Sequence, residues 1–480
     1  MIYPAYLKVA KNTVYLFLSA TISNVCLFAS NIILANFLST QIYGMVILVV
    51  SISSIYIFLA DLGISTGTTK LLAEALGNRS HKRIDAILSA SFRTTGLSAL
   101  FFTILLFLTA DFIGNFLGRE TIVPYLKMAS LWIIPYSFMK NSFAVIDGFQ
   151  EMKYSFLGGL FREPLRLAAL GIVILVGISI DRIILGWTIA IYLIFLFLTL
   201  LLGKFLSQRG WKLRLLSENK EEGFMKYSLY LYLPYIGVWV LPFLLNAFIG
   251  KFGTLSEVSL FAVAFSLTTL PYFLFLPLSG ALLPAVSETY GNGLDVKPIT
   301  LLFTYVGIIN FILLSILCFW RSFILTFLYG KEYQMAQTFL VILSFAVFFE
   351  SFKIVADPLL KGTHYARVSM FIEIIRFGVI LTGGIVLIHI WSALGAGIAI
   401  LIVYFFSSFL KLYFVKKFLD IPCLSIFYYS FSWVLLLLVS LLLQIPFPLF
   451  LVLTFLVWII ERVISWKELN ALWVFLRMRF

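Results

Sequence analysis

Charge and reactive side chains are scarce in this chain. Charged residues make up 12% of its 480, and it has three cysteines and three histidines. Cys26, Cys318 and Cys423 lie among apolar residues without CxxC spacing, so they read as small buried hydrophobes rather than disulfides or metal ligands. His81, His364 and His389 are equally scattered, which leaves no zinc or haem site. There is no P-loop, no Gly-rich nucleotide fingerprint and no His-Asp-Ser set. The expectation is a protein that is not an enzyme and that uses neither metal nor cofactor. Without a P-loop, ATP-driven transport by this chain alone is disfavoured as well.

What the chain has in excess is apolar surface. It is 62% hydrophobic and 17% aromatic, with a mean hydropathy of +1.05. A soluble core cannot hide that fraction. Repeated apolar runs of about 20 residues, broken by short charged turns, predict an all-α polytopic membrane protein. The short alternating segments of a β-barrel are missing. Between residues 13 and 464 the runs amount to about 14 transmembrane helices. The first, at 13–38, reads as a retained span, because MIYPAYLKVAKN carries no cleavable signal.

In a soluble chain the net charge of +13 would suggest nucleic acid. Here it follows membrane orientation. With the N-terminus inside, about 23 of the 35 Lys and Arg fall on the cytoplasmic side, the sign expected by the positive-inside rule. Both termini are then cytoplasmic, the location is the cell's cytoplasmic membrane, and no nucleic-acid partner is implied.

The chain repeats itself. EALGN at 74–78 returns as ETYGN at 288–292, and Asp147 of IDGF as Asp357 of ADPL. FREPLR at 161–166 returns as FIEIIR at 371–376, LGWTIA at 185–190 as LGAGIA at 394–399, and KFL at 204–206 as KFL at 417–419. Every offset lies between 209 and 214 residues. With an even number of spans per half, the halves share one orientation, an arrangement used by transporters that rock around a central site. The expected domains are an N-lobe of six spans at 1–206, a cytoplasmic linker at 207–226, and a C-lobe of six spans at 227–420. Two further helices and a tail occupy 421–480.

Several charges lie inside the spans, where an ionisable residue is by default a functional candidate. Glu163 with Arg166, and their repeat partners Glu373 with Arg376, are three residues apart and can pair as structural ion pairs. Arg162 faces Ile372 in the repeat, Arg93 faces Thr304, Lys353 faces Phe143, and Lys140 faces Glu350. These cations belong to one half only. Snorkelling to the membrane surface is the competing explanation, and it suits Arg93 and Lys353 best. Lys353 has a second alternative, pairing with Glu350 one turn earlier.

Arg93, Lys140, Arg162, Arg166, Lys353 and Arg376 all fall within about 13 residues of the cytoplasmic side, or the inner half to middle of the bilayer at about 1.5 Å per residue. Turned inward, they would form a central cationic cavity suited to a phosphate or pyrophosphate. Asp61 and Asp147 are candidates for ion coupling.

The stretch from Lys11–Asn12 through Tyr43–Gly44 to Asp61–Leu62–Gly63 resembles the N-terminal signature of the polysaccharide transporter, or oligosaccharide flippase, family. LSEVSLFAVAFSL, LLPAVSETYG, FLYGKEYQMA and LGAGIA extend the resemblance over most of residues 8–420. That family belongs to the multidrug/oligosaccharidyl-lipid/polysaccharide exporter superfamily, built as two six-helix lobes around a cavity. The resemblance implies a flippase that moves a polyisoprenyl-pyrophosphate-linked glycan from the inner to the outer leaflet. Its partners would be the lipid-linked glycan, membrane lipids, and a glycan polymerase or glycosyltransferases. Two positions depart from the family pattern: Asn36-Phe-Leu-Ser stands where many relatives have Arg-x-Leu-Gly, and Asn246 where many have Asp. The alternative from the same superfamily is a cation-coupled multidrug or small-solute antiporter. It requires an unpaired carboxylate facing inward.

Overall fold

A computed structural model describes residues 3–211, 221, 223–289 and 296–461. Among these residues there are helices, turns and no strand, as the apolar periodicity predicts. Parts of two sequence features lie outside them: residues 212–220 and 222 of the expected linker, and residues 290–292 of the repeated ETYGN. Most of the expected cytoplasmic tail, from 462 onward, lies outside as well. The chain divides into two compact units, 1–262 and 263–480.

Unit 1 contains α1 (Tyr3–Phe37), α2 (Thr40–Asp61), α3 (Ile64–Gly77), α4 (His81–Leu117), α5 (Val123–Ser130), α6 (Ile133–Gly148), α7 (Met152–Val176), α8 (Ile180–Ser207) and α9 (Phe224–Phe252). The boundary with unit 2 falls inside α10 (Leu255–Thr289). Serines start two of the long helices. Ser39 accepts from the Ile42 amide and Ser179 from the Arg182 amide, each satisfying a donor the first turn leaves free. A buried cluster joins α3, α4, α6 and α8 through Leu72, Ile87, Val145, Ile146 and Phe205.

The α2–α3 junction is a sharp break rather than a loop. Leu62 and Gly63 both have positive φ, 47° and 74°, and α3 starts at the next residue. Gly63 is required there twice over. Its φ penalises any side chain, and a Cβ would sit 2.2 Å from the Ser228 carbonyl oxygen of α9.

Unit 2 holds α11 (Val296–Phe319), α12 (Arg321–Tyr329), α13 (Gln337–Ser351), α14 (Lys353–Lys361), α15 (Ala366–Val379), α16 (Ile385–Leu419), α17 (Cys423–Leu442) and α18 (Phe447–Ile460). Its core is aromatic. Phe311, Phe348, Trp433 and Trp458 meet at centroid distances of 5.5–6.4 Å in tilted and edge-on geometries, which aromatic pairs prefer.

Nine helical stretches among the described residues are long and apolar enough to cross a membrane, and Val240–Phe252 and Phe447–Ile460 are shorter apolar helices. The 54-residue stretch Ala366–Leu419 holds two of the expected spans. A π-helical turn at Ile380–Gly384 runs through it, and Ser392, at φ 49° and ψ −127°, breaks it into two helical arms. Past the break the chain doubles back so closely that a Cβ on Gly395 would lie 2.0 Å from the Leu387 carbonyl oxygen.

Candidate functional site

In unit 1 the α2–α3 break leaves Asp61 at the foot of α3 with its carboxylate turned onto the new helix. Oδ1 accepts from the Ser65 amide at 3.3 Å, and Oδ2 from the Ser65 hydroxyl at 2.9 Å. That is an N-terminal cap, favoured by the helix dipole. From α6, Lys140 Nζ reaches the same Oδ2 at 3.0 Å and lies 4.9 Å from the centre of the Phe58 ring. The cation expected to stand alone and the acid expected to couple an ion are therefore each other's partner. Asp61 is buried, whereas Lys140 is 39% exposed, so the ammonium remains accessible.

On α7, Pro164 removes one backbone donor inside the helix, and the charged residues flank it. Glu163 Oε2 accepts from Arg166 Nη1 at 3.1 Å, the three-residue pair the sequence suggests. Its other oxygen accepts from Arg162 Nε at 3.0 Å. Arg162 is thus not without a protein partner, in contrast to the reading of the repeat. Two guanidiniums share one carboxylate, and the cluster carries a net positive charge. The Arg166 guanidinium stacks over Trp187 at 4.8 Å, and its buried Nε finds no hydrogen-bond partner among the described residues. Arg162 is 37% exposed and Arg166 15%.

The two other candidates in unit 1 stand apart from this cluster. Asp147, half-buried at the end of α6, accepts from the Ser155 hydroxyl of α7 at 2.5 Å. Arg93 is exposed and makes no ion pair with a described residue. It shares a face of α4 with Leu97, Leu100 and Ile104, all exposed, the placement that snorkelling predicts.

Unit 2 treats its charges differently. Glu350, Lys353, Asp357, Glu373, Arg376 and Lys411, from α13, α14, α15 and α16, form one network. Lys353 Nζ is 2.9 Å from Glu350 and 2.6 Å from Glu373. Arg376 Nη1 lies 2.8 Å from Glu350 and 3.2 Å from Glu373, with its guanidinium 4.4 Å above the Tyr404 ring. Lys411 Nζ is 2.5 Å from both Asp357 and Glu373. Asp357 also takes the Ser369 hydroxyl at 3.0 Å and Lys361 at 3.5 Å.

In the core of this network, three acids and three bases neutralise one another. Full pairing is the condition under which charges are tolerated away from water. Lys353 and Arg376, expected as substrate contacts, are buried and each doubly paired with protein carboxylates. The pairing of Lys353 with Glu350 is the alternative the sequence raises. Lys411 is the residue that sequence reasoning misses. It sits near the end of its apolar run, where snorkelling is the ordinary explanation, yet its side chain has no exposed surface. Its signal is the repeat itself, because its counterpart in the first half, at the offset of the KFL pair, is Leu198.

No group of three or more His, Cys, Asp or Glu among the described residues is arranged to hold a metal ion.

The sequence model of a family described as polysaccharide biosynthesis protein matches residues 9–290, and the MatE model matches residues 231–387. No curated protein sequence matches the chain. Among solved structures, the lipid II flippase MurJ in an inward closed conformation is 16% identical with a TM-score of 0.70, covering 95% of this chain and 99% of that one. An inward-facing multidrug resistance MATE family transporter of the MOP superfamily is 15% identical with a TM-score of 0.69, over 83% and 94%. A MOP superfamily transporter from Pyrococcus furiosus, whose binding pocket of reverse polarity suggests a different function, is 15% identical with a TM-score of 0.62, over 86% and 95%. At these identities the likeness is one of fold.

Proposed function

Because this chain belongs to the polysaccharide biosynthesis protein family, we propose that it is a flippase for a polyisoprenyl-pyrophosphate-linked oligosaccharide. It moves this substrate from the cytoplasmic to the outer leaflet by alternating access, for assembly of cell-surface polysaccharide or glycan. The observation that carries this reading is the Arg162–Glu163–Arg166 cluster. One carboxylate serves two guanidiniums, so positive charge is left over, and Arg162 is open to a ligand. A guanidinium presents paired N–H donors that fit phosphate oxygens, which suits a pyrophosphate better than a neutral or cationic cargo. The fold shared with a protein described as a lipid II flippase supports the reading by analogy.

In this scheme Arg162 and Arg166 contact the pyrophosphate, and Lys140 and Arg93 contribute to the attraction from nearby and from the membrane face. Lys353 and Arg376 hold the fold of the C-lobe. The lobes at 1–206 and 227–420 rock about the linker at 207–226 in the cytoplasmic membrane, with both termini cytoplasmic. A glycan polymerase or glycosyltransferase would work alongside. Each charge leaving a negative interior gains about 2.3 kcal/mol per 100 mV, so the membrane potential alone favours export of an anionic head.

A second reading, a cation-coupled multidrug or small-solute antiporter, is favoured by the MatE match at 231–387. It needs an unpaired carboxylate, and Asp61, Glu163, Glu350 and Glu373 are all paired. That leaves Asp147, bonded to the Ser155 hydroxyl and without an ion pair among the described residues, as the acid this reading would use. The test is leaflet exchange in liposomes carrying a polyprenyl-pyrophosphate-linked oligosaccharide, read by a membrane-impermeant oxidant. Fast exchange in wild type and slow exchange in Arg162→Ala supports flippase and site together. Fast exchange in both variants discards the site. No exchange in either, with a potential imposed, favours the antiporter.

A further inference from the structure

The two units repeat one local motif and complete it differently. In each, an aspartate near the end of one helix accepts a serine hydroxyl from the next: Asp147 from Ser155, and Asp357 from Ser369. The residue numbers differ by 210 and 214, within the range of the internal repeat. In unit 2 the aspartate is then neutralised by Lys411 and flanked by Lys361. In unit 1 both lysines are missing. The position of Lys411 falls on Leu198, and that of Lys361 on Glu151.

The replacement is visible in the packing. Leu198 is buried against α7 at Gly158, and Phe143, the counterpart of Lys353, packs against the same glycine. Where unit 2 inserts two ammonium groups beside its acids, unit 1 inserts a leucine and a phenylalanine. Asp147 is left with the Ser155 hydroxyl and no ion pair among the described residues.

The surroundings of Asp147 supply no substitute cation. From α3, Thr69 and Leu72 lie against the adjoining Gly148. From α8, Phe205 packs edge-on against Phe149 and Tyr154. Glu151, in the turn, is taken by Arg209 at 3.1 Å. Lys153 is exposed, and Lys70 lies over the Tyr227 ring. On α4 the polar contact is Ser91, which accepts from Asn141, and α2 offers Asp61, already held by Lys140. Among the described residues Asp147 makes no ion pair, and its position at the C-terminal end of α6 sets its charge against the helix dipole.

We propose that Asp147, with Ser155, is a proton-binding site in which the carboxylate takes a proton from water at one stage of the transport cycle and returns it at another. The proton does in unit 1 what Lys411 does permanently in unit 2. It neutralises a carboxylate that is half-withdrawn from water, and it can be removed. Loading would therefore switch the α6–α7 junction between a charged, hydrated state and a neutral, packed one. The coupling of this switch to transport rests on the flippase reading, whereas the existence of the site does not.

The experiment uses the full chain in proteoliposomes and infrared difference spectroscopy of the protonated carboxyl C=O stretch. The expected result is a band in wild type at neutral pH, where exposed carboxylates are ionised, that is lost in both Asp147→Asn and Leu198→Lys. The second variant puts a lysine at the repeat position of Lys411, so that its ammonium takes the place of the proton, and keeps the question answerable if the first misfolds. A band unchanged in either folded variant, or absent in wild type throughout mildly acidic conditions, overturns the proposal.

A second readout is leaflet exchange under opposite pH gradients. With gradients of about half a pH unit in either direction, wild type is expected to differ by roughly tenfold between them, the ratio for a total difference of about one pH unit when one proton is coupled, and Asp147→Asn to show one rate under both. Equal gradient responses in the two proteins overturn the coupling. Failure of wild type to exchange the glycan at all would count against the flippase and leave the infrared result standing.

Discussion

Lys411 and Glu373 are held 2.5 Å apart at a point where the lysine has no exposed surface. They come from α16 and α15, and Lys411 reaches Asp357 of α14 with the same ammonium. One side chain thus ties three helices. Replacing it by Met leaves Glu373 and Asp357, both largely withdrawn from water, with one fewer positive neighbour. The expected loss is about 3–5 kcal/mol, the scale for breaking a buried pair from one side. Thermal unfolding in detergent measures it. The double variant Lys411→Met with Glu373→Gln should lose less than the two single losses combined, because the acid's unpaired charge goes with it.

Arg162 is predicted to behave in the opposite way. It is partly exposed and its bond to Glu163 is duplicated by Arg166. Arg162→Ala should change stability by less than about 1 kcal/mol. On the proposed flippase reading, leaflet exchange should nevertheless fall roughly 10- to 100-fold, the loss expected for one charged hydrogen bond to a phosphate oxygen. Melting temperature and leaflet exchange, measured on one preparation, separate the two effects.

Asp61 does two jobs, capping α3 and holding Lys140, and a double-mutant cycle can divide them. Asp61→Asn keeps part of the cap and discards the charge. Combined with Lys140→Met, it should reveal a coupling of roughly 0.5–1 kcal/mol, small because Lys140 is accessible to water. A coupling of zero would mean that the pair in unit 1 is a geometric neighbour relation without energetic content.

Gly63→Ala tests the break between α2 and α3. Both the positive φ and the approach of the Ser228 carbonyl oppose a methyl group. The expected cost is at least about 1–2 kcal/mol from backbone conformation alone. Asn at the same position should be tolerated no better, since it satisfies the dihedral but not the contact. A neutral Asn variant would show that α9 can move away from α3.

The helical class was readable from run length and apolarity because each span must satisfy its own backbone in lipid, and this leaves few alternatives. The pairs Glu163–Arg166 and Glu373–Arg376 were readable for the same local reason, as three residues along a helix place two side chains on one face. Arg162 and Glu163 were not, since adjacent residues point apart. The long guanidinium reaches around to the second carboxylate oxygen. Lys140 with Asp61 and Lys411 with Asp357 join positions far apart in the chain, and no period encodes them. The repeat came nearest, because it marked where one half carries a lysine and the other a leucine.

Ser392 joins its two helical arms through a single non-helical residue, with Gly395 folded back almost onto the Leu387 carbonyl. Such a connection leaves no slack for one arm to wait in water while the other crosses the bilayer. The expectation is that during biosynthesis the two arms enter the membrane together, as one hairpin.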